Sequence, residues 1–185
     1  MGFAFAHLIT GWILGRIWEF SGKRKLDHVA WFCILFGAIL PDMDLLLDWT
    51  IKLHTHRAIT HSFLFAILVG VLGYAVVTFL KMYVWKDSNG SKTKQIIGLL
   101  DPKIIGISLA LGITSHFLLD MITGSDGVPL LWPLMYYFGN SGVYLREGLA
   151  NGFSQASYNI YQAIFDMGLG TLWILWFTLR GRFKP

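Results

Sequence analysis

Apolar residues in this chain form long runs that are separated by short polar stretches. Five runs approach the roughly 20 residues that a helix needs to cross a bilayer. They cover residues 3–18, 29–47, 62–85, 104–122 and 158–179. The pattern predicts an all-α fold, a polytopic membrane bundle of about five transmembrane helices.

A shorter apolar stretch at residues 128–138 is broken by Pro129 and Pro133. It is too short to span a bilayer, so we expect a re-entrant or interfacial segment. Its aromatic residues would lie at headgroup depth, where such side chains are enriched. They are Trp132, Tyr136 and Tyr137.

Composition supports a membrane environment. Hydrophobic residues make up 55% of the chain and charged residues 14%, whereas soluble domains are about a quarter charged. We therefore expect one integral membrane domain, residues 1–185. The net charge of +4 does not form a basic stripe interleaved with aromatic residues, so no nucleic-acid partner is predicted. A single cysteine, Cys33, excludes an intrachain disulfide framework.

The basic residues divide unevenly between the two sides of a five-span topology. One side carries 12 of the 15, while the other carries only Lys52, Arg57 and Arg146. Positive charge concentrates in cytoplasmic loops. The distribution therefore predicts an external N-terminus and a cytoplasmic C-terminus in the cell membrane.

Titratable side chains near the ends of these apolar runs are candidates for function, because burying such groups in a membrane is costly. In the five-span topology they fall at one level, near the external face. The candidates are His7, Asp42, Asp44, His56, His61, His116 and Asp120. His28 falls on the opposite side, and His54 is either a ligand or an ordinary loop residue.

The local spacings suit a metal ion. His116 and Asp120 are four residues apart, on one face of a helix. Asp42 and Asp44 follow Pro41, which ends a helix, so they could serve two ions, or one could ligate while the other orients. Mixed imidazole and carboxylate ligands favour Zn²⁺, with Mn²⁺ or Fe²⁺ possible.

Each group also has a purely structural interpretation. His7 could hydrogen-bond to a neighbouring helix, and His116 with Asp120 could form an ion pair. Asp42 with Asp44 could simply terminate a helix and meet solvent. A shared level for all of them favours a common role.

Four separated motifs carry a family resemblance. They are Pro41-Asp42-Met43-Asp44, then residues 56–62 (HRAITHS), then residues 115–120 (SHFLLD), then residues 127–133 (GVPLLWP). In this order, and with an early His7, they resemble the YdjM-type family of inner-membrane metal-dependent hydrolases. That family is distantly similar to zinc-dependent phospholipase C and P1-type nucleases. The resemblance implies zinc-dependent cleavage of a phosphoester. A second His/Glu helix of those enzymes has no counterpart, so one or two ions are expected.

The predicted function is a membrane-embedded metal-dependent hydrolase that cleaves a phosphoester of a membrane lipid or lipid-linked substrate at the outer face. His7, His56, His61, His116 and Asp120 would be ligands. One of the two candidate aspartates would join them, and the other would act as general base or orient a ligand.

Arg57 would donate to a phosphate oxygen. Asp166 could complete the site or pair with Arg146. The alternative function is a metal-binding transporter or a non-catalytic membrane protein. The sequence predicts no particular oligomeric state.

Overall fold

The computed structural model describes residues 4–22, 25–44, 59–87, 97–123, 128–134 and 155–182. Within these residues, the long elements are all helices. They are α1 (Ala4–Gly22), α2 (His28–Ile39), α3 (Phe63–Asp87), α4 (Pro102–Thr123) and α5 (Gln155–Arg182). There are also two short 3₁₀ turns: Pro41–Met43 follows α2, and Ile59–His61 precedes α3. The described part of the chain confirms the predicted all-helical fold.

Sequence signals set the helix boundaries. The side chain of Asp27 accepts a hydrogen bond from the Ala30 amide at 2.7 Å and begins α2. Oδ1 of Asp101 accepts a hydrogen bond from the Lys103 amide at 3.0 Å and begins α4, with Pro102 at the first helical position. Helix α2 ends at Ile39, before Pro41, which lacks the amide needed to continue the ladder.

Two of the described helices are long and apolar enough to cross a membrane, at Phe63–Tyr83 in α3 and Pro102–Ile122 in α4. The predicted count of five spans is therefore not confirmed. Helix α2 has 12 residues, too few to span by itself. Helices α1 and α5 are long enough to span a membrane but are not among these two candidates.

Helix α4 occupies the centre of the packing, in contact with α1, α2 and α3, while α5 packs on α1. Glycines bring α4 very close to α2. A Cβ added at Gly112 would lie 2.2 Å from the carbonyl oxygen of Ile34, and one added at Gly37 would lie 2.6 Å from that of Leu109. Only glycine permits this approach.

The segment 128–134 is a series of turns packed against the start of α3. The carbonyl of Leu130 accepts a hydrogen bond from the Phe63 amide at 3.0 Å. Val128 and Leu130 join a buried cluster with Ile113 and Phe117. The structure thus gives this segment a packing role, and its re-entrant or interfacial depth stays a prediction. Residues 135–138 lie outside the described part.

Candidate metal centre

Five of the predicted site residues converge at one end of the bundle. The three histidine side chains are fully buried, Asp120 is 2% exposed, and Asp42 is 29% exposed. They come from four separate elements: α1, the turn after α2, the turn before α3, and α4. The convergence therefore depends on the whole described fold. The residues are His7, Asp42, His61, His116 and Asp120.

His61, His116 and Asp120 form a compact triangle of potential ligand atoms. The two Nε2 atoms are 3.2 Å apart. Oδ2 of Asp120 lies 3.3 Å from Nε2 of His61 and 3.6 Å from Nε2 of His116. Spacing of His116 and Asp120 by one helical turn places both on the same face of α4.

Asp42 adds a fourth atom to this triangle. Its Oδ1 lies 3.5 Å from Nε2 of His116 and 3.8 Å from Nε2 of His61. The 3₁₀ turn that follows α2 directs this carboxylate back toward α4. Because Asp42 is the most exposed member of the cluster, it marks the edge through which solvent reaches it.

His7 lies on the other side of the two carboxylates. Its Nε2 is 3.8 Å from Oδ2 of Asp42 and 3.6 Å from Oδ1 of Asp120. These are the oxygens opposite to those that face His61 and His116. The imidazole of His7 stacks on that of His116, with centroids 3.8 Å apart. Each carboxylate thus presents one oxygen to His7 and the other to the remaining histidines.

A backbone carbonyl fixes the orientation of His116. Nδ1 of His116 donates to the carbonyl of Ala38 at 2.8 Å, since a carbonyl can only accept. The proton on Nδ1 leaves Nε2 of the neutral ring with its lone pair toward the cluster. The glycine contacts between α2 and α4 bring the two helices close enough for this bond.

Thr60 orients His61 in the same sense. Its hydroxyl donates to Oδ2 of Asp44 at 2.6 Å, and Nδ1 of His61 is 3.0 Å from Oγ1 of Thr60. A hydroxyl has one proton, so it accepts from Nδ1–H of His61. The Nε2 lone pair of His61 then faces the cluster. Burial lowers the pKa of His61, which keeps this ring neutral.

Asp44 therefore lies behind His61 and not among the converging ligand atoms. Its Oδ2 is 4.0 Å from Nδ1 of His61. Asp42 thus faces the converging side chains, whereas Asp44 accepts from the hydroxyl of Thr60 that orients His61. The sequence motif contains Thr60, but sequence reasoning assigned it no role. Its position directly before His61 was the available signal.

Asp166 from α5 holds the beginning of α1. Its Oδ1 accepts from the amide of Ala6 at 2.7 Å, and its Oδ2 accepts from the amide of Phe5 at 3.3 Å. The first amides of a helix lack partners within the helix, and Asp166 is only 6% exposed. These amides directly precede His7, so Asp166 fixes the backbone that carries that imidazole.

The predictions for His56 and Arg57 lie outside the described residues, as do those for His54 and Arg146. Of the two partners suggested by the sequence for Asp166, the described residues show neither. Its hydrogen bonds go to the backbone of α1 instead.

The fold and cluster together define a class: a helical membrane protein with a buried group of histidines and aspartates at one end. The chain belongs to the YdjM inner membrane protein family, whose model matches residues 1–181. This match supports the predicted membrane environment. No curated protein and no solved structure matches the chain.

Proposed function

We propose that this chain is a membrane-embedded metal-dependent hydrolase that cleaves a phosphoester of a lipid-linked substrate at the outer face of the membrane. One observation carries the proposal. Three imidazoles and two carboxylates from four elements place their ligand atoms within 4.8 Å of one another in two overlapping groups.

The atom separations suit a metal ion. A tetrahedral ion with bonds of about 2.0–2.1 Å holds neighbouring ligand atoms about 3.3–3.4 Å apart. The His61, His116, Asp120 and Asp42 atoms have separations of 3.2, 3.3, 3.5, 3.6 and 3.8 Å. Two imidazole lone pairs 3.2 Å apart repel each other unless a cation or a shared proton lies between them. Nitrogen and oxygen ligands favour zinc, with manganese or iron as alternatives.

The cluster also offers ligand atoms for a second ion. Asp42 and Asp120 each turn their other oxygen toward Nε2 of His7. These atoms would hold the second ion, and paired ions in two-metal hydrolases stabilise both the attacking and the leaving oxygen. His7 would then bind one ion, and His61 with His116 the other.

A bound divalent cation supplies Lewis acidity that polarises a phosphoryl oxygen and lowers the pKa of a water molecule. The protein supplies orientation and proton transfer. Asp42 is the partly exposed carboxylate, so in the one-ion arrangement its second oxygen would be placed to accept a proton from an attacking water. His116 and His61 are oriented through Ala38 and Thr60.

The lipid substrate is supported by the surface around Asp42. Several exposed apolar side chains adjoin the site residues along the chain: Met43 follows Asp42, and Phe63 and Leu64 come directly after His61 and Ser62. Leu131 is also exposed and follows Leu130, whose carbonyl accepts from the Phe63 amide. A lipid tail could lie on them while its phosphoester reaches the cluster. The charge distribution along the sequence favours the external side for this end of the bundle.

Hydrolysis of phospholipid and polyprenyl-phosphate panels by purified, zinc-loaded protein tests the proposal. The wild type should release product, and His116→Ala should not. Thr114→Val is the matched control on the same helix, because its hydroxyl bonds only within that helix, to Ala110. Equal turnover by His116→Ala would contradict the proposal. Zinc flux into liposomes without any turnover would favour the transporter alternative.

A further inference from the structure

A second concave surface lies between α1, α2 and α5. It encloses a cavity of about 520 Å³. Its walls are apolar and mostly aromatic, from Trp12, Trp31, Leu35, Trp173 and Phe177. Trp12 meets Trp173 and Phe177 edge-on, with centroids 6.3 and 5.6 Å apart.

Two arginines, Arg16 of α1 and Arg180 of α5, line the same cavity. The two helices run in parallel, since Phe5 lies against Gly170 and Trp12 against Trp176. Arg16 follows Trp12 by one turn, and Arg180 follows Trp176 by one turn. Both guanidinium groups therefore lie at the same end of the apolar walls.

This end is remote from the histidine cluster. Arg16 is nine residues beyond His7 in one continuous helix, which is about 14 Å along the axis. The basic-residue distribution assigns Arg16 and Arg180 to the cytoplasmic side and the cluster to the external side. A ligand in the cavity would therefore meet a different leaflet from a substrate at the cluster.

Both guanidinium groups retain free donors. Arg16 is 51% exposed and uses Nη1 to bond Oε2 of Glu19 at 2.6 Å, which leaves its other N–H groups for a ligand. Glu19 is itself engaged through Oε1 by the Leu26 amide. Arg180 lies over the ring of Trp176, 5.0 Å from its centroid, and this contact uses none of its N–H donors.

We propose that this cavity binds an anionic phospholipid of the cytoplasmic leaflet. The phosphate is held by the two guanidinium groups, which suit phosphate oxygens as paired donors. An acyl chain occupies the aromatic walls. Free phosphate would leave those walls uncovered, and a zwitterionic lipid would bring a cation toward two arginines. Basic pockets between membrane helices on this side favour anionic headgroups. The site does not depend on the hydrolase proposal.

Native mass spectrometry of the detergent-purified chain, titrated with phosphatidylglycerol or phosphatidylcholine, tests this inference. We expect phosphatidylglycerol to bind more tightly. Arg16→Gln/Arg180→Gln should weaken it about tenfold or more, since the variant loses both charge-assisted contacts to the phosphate. The matched control Lys25→Gln/Lys103→Gln removes two exposed cationic groups outside the cavity and should bind normally.

His116→Ala should also bind phosphatidylglycerol normally, which separates this site from the proposed catalytic one. Equal affinity for the two lipids would overturn the inference. So would an equal loss in the lysine control, or full competition by inorganic phosphate. If the double arginine variant does not fold, the single variants Arg16→Gln and Arg180→Gln make the same comparison, each with a smaller loss expected.

Discussion

Helices α3 and α4 are both long and apolar and pack against each other, yet they differ in their surroundings. In the most apolar stretch of α4, 50% of the residues are buried inside the protein, whereas in that of α3 only 11% are buried. The buried helix carries His116 and Asp120, whereas the exposed helix meets the cluster only through His61, just before its first residue. Titratable groups are tolerated where protein surrounds them. Exposure to lipid restricts α3 to apolar side chains over most of its length.

The largest expected effect comes from removing the imidazole of α4. His116→Ala deletes a member of both ligand groups, so we expect zinc content to fall to near zero. Thr78→Val on α3 should retain it, because Thr78 is half-buried and its hydroxyl, among the described residues, bonds within its own helix to Tyr74. Elemental analysis of the purified variants measures the difference. Wild-type zinc in His116→Ala would contradict the assignment.

His7→Ala tests whether the histidine and aspartate cluster holds one ion or two. Because His7 faces the carboxylate oxygens that point away from His61, we expect a two-ion site to lose one ion and keep the other. The zinc-to-protein ratio should fall from two to one. A ratio of one in both proteins would exclude the second ion.

Thr60→Val tests whether the 3₁₀ turn before α3 contributes to metal binding by orienting His61. The change removes the hydroxyl that joins Asp44 to His61. Loss of such a supporting bond typically weakens metal affinity by roughly 10–100-fold. Zinc competition with a chelating dye would report the change, and unchanged affinity would show that His61 does not depend on Thr60.

The close packing of the buried helix α4 against α2 should contribute to the stability of the fold. Gly112→Ala puts a methyl group against the Ile34 carbonyl, and overpacking of this kind costs about 1–3 kcal/mol. Gly168→Ala on α5 is the control, because a Cβ there meets nothing within 4 Å. Thermal unfolding in detergent should show a lower melting temperature for Gly112→Ala only. Equal shifts in melting temperature for the two variants would contradict a special role for the contact at Gly112.

The smallest expected effect concerns Asp166. Asp166→Asn keeps one acceptor for the α1 amides but loses the charge, and caps of this kind contribute about 0.5–2 kcal/mol. We expect a modest loss of zinc affinity at His7, up to about tenfold. Restoration by Asp166→Glu would not be expected, because the longer side chain would displace α1. Zinc titration of each variant measures this.

The sequence predicted much of this fold because apolar runs and capping residues are local signals. Each predicted run overlaps a helix, and a capping Asp101 followed by Pro102 marks the start of α4. The number of membrane spans was harder to predict. The second run continues past Pro41 in hydropathy, whereas its helix ends at Ile39.

The candidate cluster was predicted from residue types that are costly in membranes, and five of its six described members lie together, with Asp44 behind His61. The supporting contacts could not be predicted in the same way. Ala38 acts through its carbonyl, which every residue possesses. Asp166 bonds an amide 160 residues earlier in the chain, and only the packed fold brings the two together.

That last contact has a consequence for biosynthesis. Helix α1 carries His7 and is synthesised before α5, which supplies the carboxylate that secures the first turn of α1. The beginning of α1 is therefore secured only after α5 has been made and docked. A chain that stops before α5 would carry all five residues of the cluster but lack this carboxylate, so we expect it to bind the proposed metal more weakly, as Asp166→Asn would.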